Sequence, residues 1–99
     1  MKRTINNSPF VIVRTYSAGV FAGNLSSRDG KEVHLENAIR IWYWKGAASL
    51  SQLAVDGPQK PNECKFGIPI SVILTEAIEI ISVSSIAEKK IKGVIPWRA

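Results

Sequence analysis

Arg40, Trp42, Trp44 and Lys45 fall within six residues, and Ser49 follows at the head of a helix-like run. Aromatic faces stack on nucleobases, and guanidinium or ammonium groups hold phosphate. Between them, Gly46, Ala47 and Ala48 are small enough to let a ligand approach the backbone. A helix opening at Ser49 would add free N–H groups that favour an anion. A second set, Arg14, Tyr16 and Ser17, ends an earlier strand-like run. Together these are the candidate ligand-binding residues of a base-and-phosphate pocket: Arg14, Tyr16, Ser17, Arg40, Trp42, Trp44, Lys45 and Ser49. The same residues also fit a plainer account, an aromatic core strand feeding a capped helix.

Other chemistries are poorly supplied. One His and one Cys are too few for the usual Cys/His metal sites, and no metal ligands are assigned. Cys64 lies in a Pro/Asn/Glu loop, where it could be exposed, but nothing in the spacing places His34 beside it. His34 reads as a solvated strand residue. Glu76 and Glu79, three apart, would point to opposite faces of a strand, so they do not make an acid–base pair there. No glycine-rich phosphate loop is present. The expectation is a non-enzyme with no catalytic residues and no cofactor.

The elements that must position the candidate residues are mostly strands. Pro9 opens Phe10–Tyr16, whose alternation puts Phe10, Ile12, Arg14 and Tyr16 on one face and Val11, Val13 and Thr15 on the other. Val20–Leu25 is a second strand, with Gly23 marking a bulge or close approach. Asp29-Gly30 signals a hairpin. Glu32–Leu35 follows, then an interruption at Glu36–Ala38, then Ile39–Trp44. That last run puts Ile39, Ile41 and Tyr43 on one face and Arg40, Trp42 and Trp44 on the other. Ser49 and Gln52 make a capping-box pattern, Leu50, Leu53 and Ala54 form an apolar helical face, and Gly57-Pro58 stops the helix. Gly67 and Pro69 demote the first half of Lys65–Leu74 to an edge or irregular segment. Glu76–Val83 is the last strand. Ser84 or Ser85 caps a short helix through Lys92, with Ile86, Ala87 and Ile91 inward, and Trp97 in the extended tail docks on the domain or on a neighbour.

The fold class is therefore mainly β (α+β): a small curved antiparallel sheet or barrel of about five strands with two short helices as plugs. Residues 1–8 read as a flexible leader and 9–99 as a single β-rich domain. A chain of 99 residues leaves much surface exposed, so association would help it. The net charge of +5 suits a phosphate-bearing partner, though no long basic run points to polymeric nucleic acid. No apolar run approaches a membrane span, no signal peptide is visible, and a lone Cys suits a reducing compartment.

Three stretches, Val13–Val20, Arg40–Ala54 and Leu74–Ile81, resemble a family of small uncharacterised proteins of tailed phages and prophages. The resemblance runs from about Phe10 to Trp97, and Arg40–Ala54 is its most specific part. It brings no catalytic residues with it. It implies a phage accessory protein in the cytoplasm of an infected host cell, and small accessory proteins of this kind include sponges that sequester nucleotide-derived signals of host defence. Such proteins are typically homo-oligomers with pockets between subunits. The leading expectation is thus a binding protein for a small nucleotide-like ligand. The alternatives are a structural or interaction protein (a virion component or an inhibitor of a host protein) and a single-stranded nucleic-acid binder.

Overall fold

The computed structural model describes residues 3–98. Its strands are β1 (Arg3–Thr4), β2 (Phe10–Thr15), β3 (Val20–Asp29), β4 (Glu32–Tyr43), β5 (Lys65–Phe66), β6 (Ile70–Leu74) and β7 (Ala77–Ser82). The helices are α1 (Leu50–Asp56) and α2 (Ser85–Lys92), with a 3-10 turn at Pro61–Glu63. All strands join one antiparallel sheet. Its main path is β5-β4-β3-β2-β7, while β6 shares β4 with β5 and β1 pairs with β3. The seven segments thus fill five positions across the sheet, the number expected from the sequence.

The long β3–β4 hairpin is bent, and its bends are encoded locally. Asn37 and Ala38 together oppose Gly23, because Ala22 pairs with Ile39 and Asn24 with Glu36. Such a two-against-one bulge turns the strand and raises its twist. Gly23 is required there: a Cβ would stand 2.9 Å from the Ala38 Cα. Asn37 takes the left-handed conformation at φ 52°, which Asn tolerates better than most residues. A second shift leaves Ser26 as the extra residue on β3.

The result is a hairpin that doubles back. Ala77 pairs with Thr15 beside the β2–β3 turn, yet its N–H also donates to the Lys31 carbonyl at the far tip of the hairpin, at 3.1 Å. A straight strand from Val20 to Lys31 would run about 36 Å at ~3.3 Å per residue, so only a folded-back hairpin can make both contacts. The sheet is curled but not closed, since β6 and β7 are joined by Thr75-Glu76 without pairing to each other.

Curling gives the sheet two cores. One lies between the sheet and the helices and holds Phe10, Ile12, Ile39, Ile41, Leu53, Phe66 and Ile91. The other lies inside the curl and holds Val11, Val13, Phe21, Leu25, Val33, Leu35 and Leu74. The alternation read along Phe10–Thr15 is the division between them: even positions face the helices and odd positions face the curl.

The helices form where their caps sit. Ser49 Oγ accepts from Gln52 N, and the Gln52 side chain accepts from Ala48 N, one residue further back than the usual reciprocal cap. Ser84 caps α2 through Ala87 N. Leu53 and Ala54 are buried and Leu50 packs at the core margin, as expected. In α2, Ala87 and Ile91 are buried but Ile86 is exposed, contrary to its expected inward face. It precedes Ala87 by one residue, about 100° around the helix. Within the expected leader, Arg3–Thr4 pairs with Ser27–Arg28 and Ile5 packs against the inner core. Among the described residues no helix is long and apolar enough to cross a membrane.

Candidate functional site

The residues singled out from the sequence fall into three separate places. Arg14, Tyr16 and Ser17 sit at the β2–β3 turn, Trp44, Lys45 and Ser49 in the connection to α1, and Arg40 and Trp42 on the opposite face of β4 from Ile39 and Ile41. Arg14 shares the helix-side face of β2 with Phe10 and Ile12, so it does not converge with Arg40 and Trp42.

The turn group is neutralised by acids. Arg14 Nε donates to Glu79 Oε1 at 3.0 Å, and Ser17 Oγ donates to Glu76 Oε1 at 2.8 Å. Tyr16 lies just past the end of β2 and is 78% exposed. With Lys31, Glu76 and Ile78 it lines a depression of about 250 Å³. A phosphate entering here would meet two carboxylates that already hold Arg14 and Ser17.

The connection to α1 is structural. Alternation predicted Trp44 beside Trp42, but β4 ends at Tyr43 and the chain turns. Trp44 then packs against the helix-side core, and its Nε1 donates to the Ala47 carbonyl at 3.2 Å. Gly46, at φ 86°, permits that turn against the Gln59-Lys60 backbone, where a Cβ would lie 2.6 Å from Lys60 N. The Lys45 backbone N–H donates to Cys64 Sγ at 3.4 Å, and the Ser49 hydroxyl is committed to its cap. Cys64 is buried rather than exposed. His34 is less solvated than expected, with Nε2 2.9 Å from Glu36 Oε2 and 3.2 Å from Ser71 Oγ.

Arg40 and Trp42 remain as an open surface, and they have partners the sequence reading left out of the site. The Gly67 N–H donates to the Arg40 carbonyl at 2.7 Å, and the Trp97 N–H donates to the Phe66 carbonyl at 2.8 Å. These bonds bring the C-terminal tail alongside β5. Trp97 meets Trp42 edge-to-face, with ring centroids 5.6 Å apart and planes at 75°. Lys65 Nζ lies 5.4 Å from the centre of the Trp97 ring, and Arg40 stands 4.6 Å over Phe21. The two Trp are 54% and 53% exposed. Neither Arg40 nor Lys65 is paired with a carboxylate among the described residues.

The signal for Trp97 was in the sequence: a Trp after Ile-Pro beyond a helix stop has no local reason to be apolar. Its expected docking on the domain is what the tail does. Lys65 carried no such signal, because its place over Trp97 depends on β5 and the tail meeting.

Chemically, this edge offers aromatic surface from two perpendicular rings with cations at its sides. That favours a flat, electron-poor or anionic ligand.

Fold and edge together define a small curled β-domain with a helical cover and an open aromatic–cationic edge. The chain belongs to DUF6948, a domain family of unknown function, which matches residues 8–91. The match includes Arg40, Trp42 and Lys65 and ends before Trp97. No curated protein and no solved structure matches the chain.

Proposed function

We propose that this protein is a non-catalytic binding module that captures a nucleotide-like ligand at the Trp42–Trp97 edge. The observation that carries this is the pair of half-exposed, perpendicular Trp rings flanked by Arg40 and Lys65, neither of them held by a carboxylate among the described residues. A base stacks on a Trp face, and Lys65 and Arg40 take the phosphate. Of the eight residues expected from the sequence, this reading keeps Arg40 and Trp42 as contacts and adds Lys65 and Trp97. The non-catalytic part is supported by the placement of the nucleophile and the imidazole. Cys64 is buried beside Lys45, while His34 is engaged by Glu36 in the other half of β4, beyond the bulge.

In the phage setting that the resemblance implies, such a module sequesters a nucleotide-derived signal of host defence in the infected cell. A homo-oligomer would enclose a ligand that one copy leaves half open. Thermal shift and calorimetry against a panel of nucleotides and nucleotide-derived signals test this reading. The expected result is ligand-dependent stabilisation in the wild type that is lost in Trp42→Ala. Absence of stabilisation across the panel would refute it.

A second reading has its own observation. Ile68 and Ile70 are exposed in and just after the loop that follows β5, so the edge also suits a protein partner. Stable co-purification with one host protein, abolished by Ile68→Asp and retained in nucleotide-free buffer, would favour it.

A further inference from the structure

Charge in this molecule is divided between two regions. Residues 40–66 and 85–98 carry eight Lys or Arg against three Asp or Glu, while the rest of the described chain carries four against five. The basic region includes the Trp42–Trp97 edge and does not stop there. The tail runs from the end of α2 back to β5, and a groove follows it. One depression of about 280 Å³ is lined by Pro58, Gln59, Pro61, Lys90 and Gly93. A second, of about 220 Å³, shares Pro61 and Gly93 and continues to Val94 and Ile95. Gly93 and Val94 turn the chain at the end of α2, and from Ile95 to Trp97 the extended tail covers roughly 7 Å at ~3.3 Å per residue.

Lysines border this path. Lys90 Nζ reaches Gln59 Oε1 at 3.5 Å at one end, Lys60 lies between Gln59 and Pro61, and Lys65 stands over Trp97 at the other. Arg98 follows Trp97. The acids of the region are Asp56 at the end of α1, Glu63 in the 3-10 turn, and Glu88, which is bonded to Lys92. Lys92 itself turns away over Phe10.

From this we infer that the ligand is a single-stranded oligonucleotide, with one base stacked at Trp42–Trp97 and its following phosphates along the Lys65–Lys60–Lys90 groove. The inference rests on the nucleotide-binding reading above and extends it from one nucleotide to several. A mononucleotide would leave the groove and its lysines unused. An oligonucleotide places successive negative charges along them and releases counterions as it binds.

The experiment titrates the full chain with oligothymidylates of one, two, four and eight units, following tryptophan fluorescence. Binding should tighten at least tenfold between the dimer and the octamer. For the octamer, about three phosphate contacts should give a slope of log K against log salt near −2, at ~−0.7 per phosphate. A double Lys60→Glu, Lys90→Glu variant should lose at least tenfold in octamer affinity and leave dimer affinity unchanged. A thermal melt of that variant confirms that it is folded. If thymidylate binds as tightly as the octamer, or the double variant matches wild type, the groove is refuted and the single-nucleotide reading stands. If no thymidylate binds but a nucleotide from the panel does, the oligonucleotide inference alone fails. If nothing in either set binds, both fail.

Discussion

The two ends of the sheet that carry cationic and aromatic residues differ in what neutralises them. At the β2–β3 turn, Arg14 and Ser17 are taken up by Glu79 and Glu76, so Tyr16 stands out from a locally balanced surface. At the β4–β5 edge, Arg40 and Lys65 lie over rings and have no carboxylate partner among the described residues, and two Trp are left half open beside them. A cation over an aromatic face keeps its charge available to an incoming anion, whereas a cation in an ion pair must first give up its partner. Residue type alone would rank the two ends alike. Their partners separate them.

Four substitutions break or sharpen this contrast. Gly46→Ala should have the largest effect, destabilising the fold by about 3 kcal/mol, because a Cβ at a positive φ would run into the Lys60 and Gln59 backbone. Denaturant unfolding measures it, and a loss under ~1 kcal/mol would mean that this turn relaxes freely. Trp44→Ala should cost about 2 kcal/mol, less than a fully buried Trp because the ring is only partly covered. Once folded at low temperature, this variant should still show wild-type ligand stabilisation. Trp42→Ala should reverse that pattern, losing no more than ~1 kcal/mol through the Trp97 contact while ligand response disappears. Equal stability losses for Trp42 and Trp44 would erase the distinction between an open edge and a structural connection. Arg14→Ala should change stability by less than ~0.5 kcal/mol, since its ion pair with Glu79 is about half exposed on both sides. Ligand response in this variant should be unaltered, and a marked loss would move the binding surface to the turn.

Local patterns carried far in this chain. The Phe10–Thr15 alternation separated Phe10 and Ile12 from Val11 and Val13 as the two cores do, Ser49 and Ser84 announced both helices, and Gly23 with Asn37 gave the place of the bulge. These features are legible because each depends on residues a few positions apart. Pro69 and Gly67 likewise separate β5 from β6, since a missing donor and a missing side chain weaken a strand whatever surrounds it.

The candidate site was legible only in part, and Trp44 shows why. Period-two alternation holds while the strand lasts, and β4 stops at Tyr43 because Gly46 turns the chain onto the Gln59-Lys60 backbone. Glu79 could not be assigned to Arg14 from the sequence either, because the ion pair spans 65 positions and depends on β2 pairing with β7.

Of the residues from Arg40 to Ser49, Arg40 and Trp42 thus belong to the open edge, while Trp44 and Ser49 serve the connection to α1. What the amino-acid sequence determined by itself was the β-rich class, the two capped helices, the bulged strand and the presence of an aromatic–cationic segment, all set by spacing and backbone preference. Only the tertiary structure decided which of those groups stay open. Folding the hairpin back buried one face of the sheet, the helices covered the other, pairing of β5 with β4 brought Lys65 to the edge, and the tail brought Trp97 to Trp42. Contacts made across the whole chain settle exposure and charge pairing, and those two properties separate a binding surface from a core.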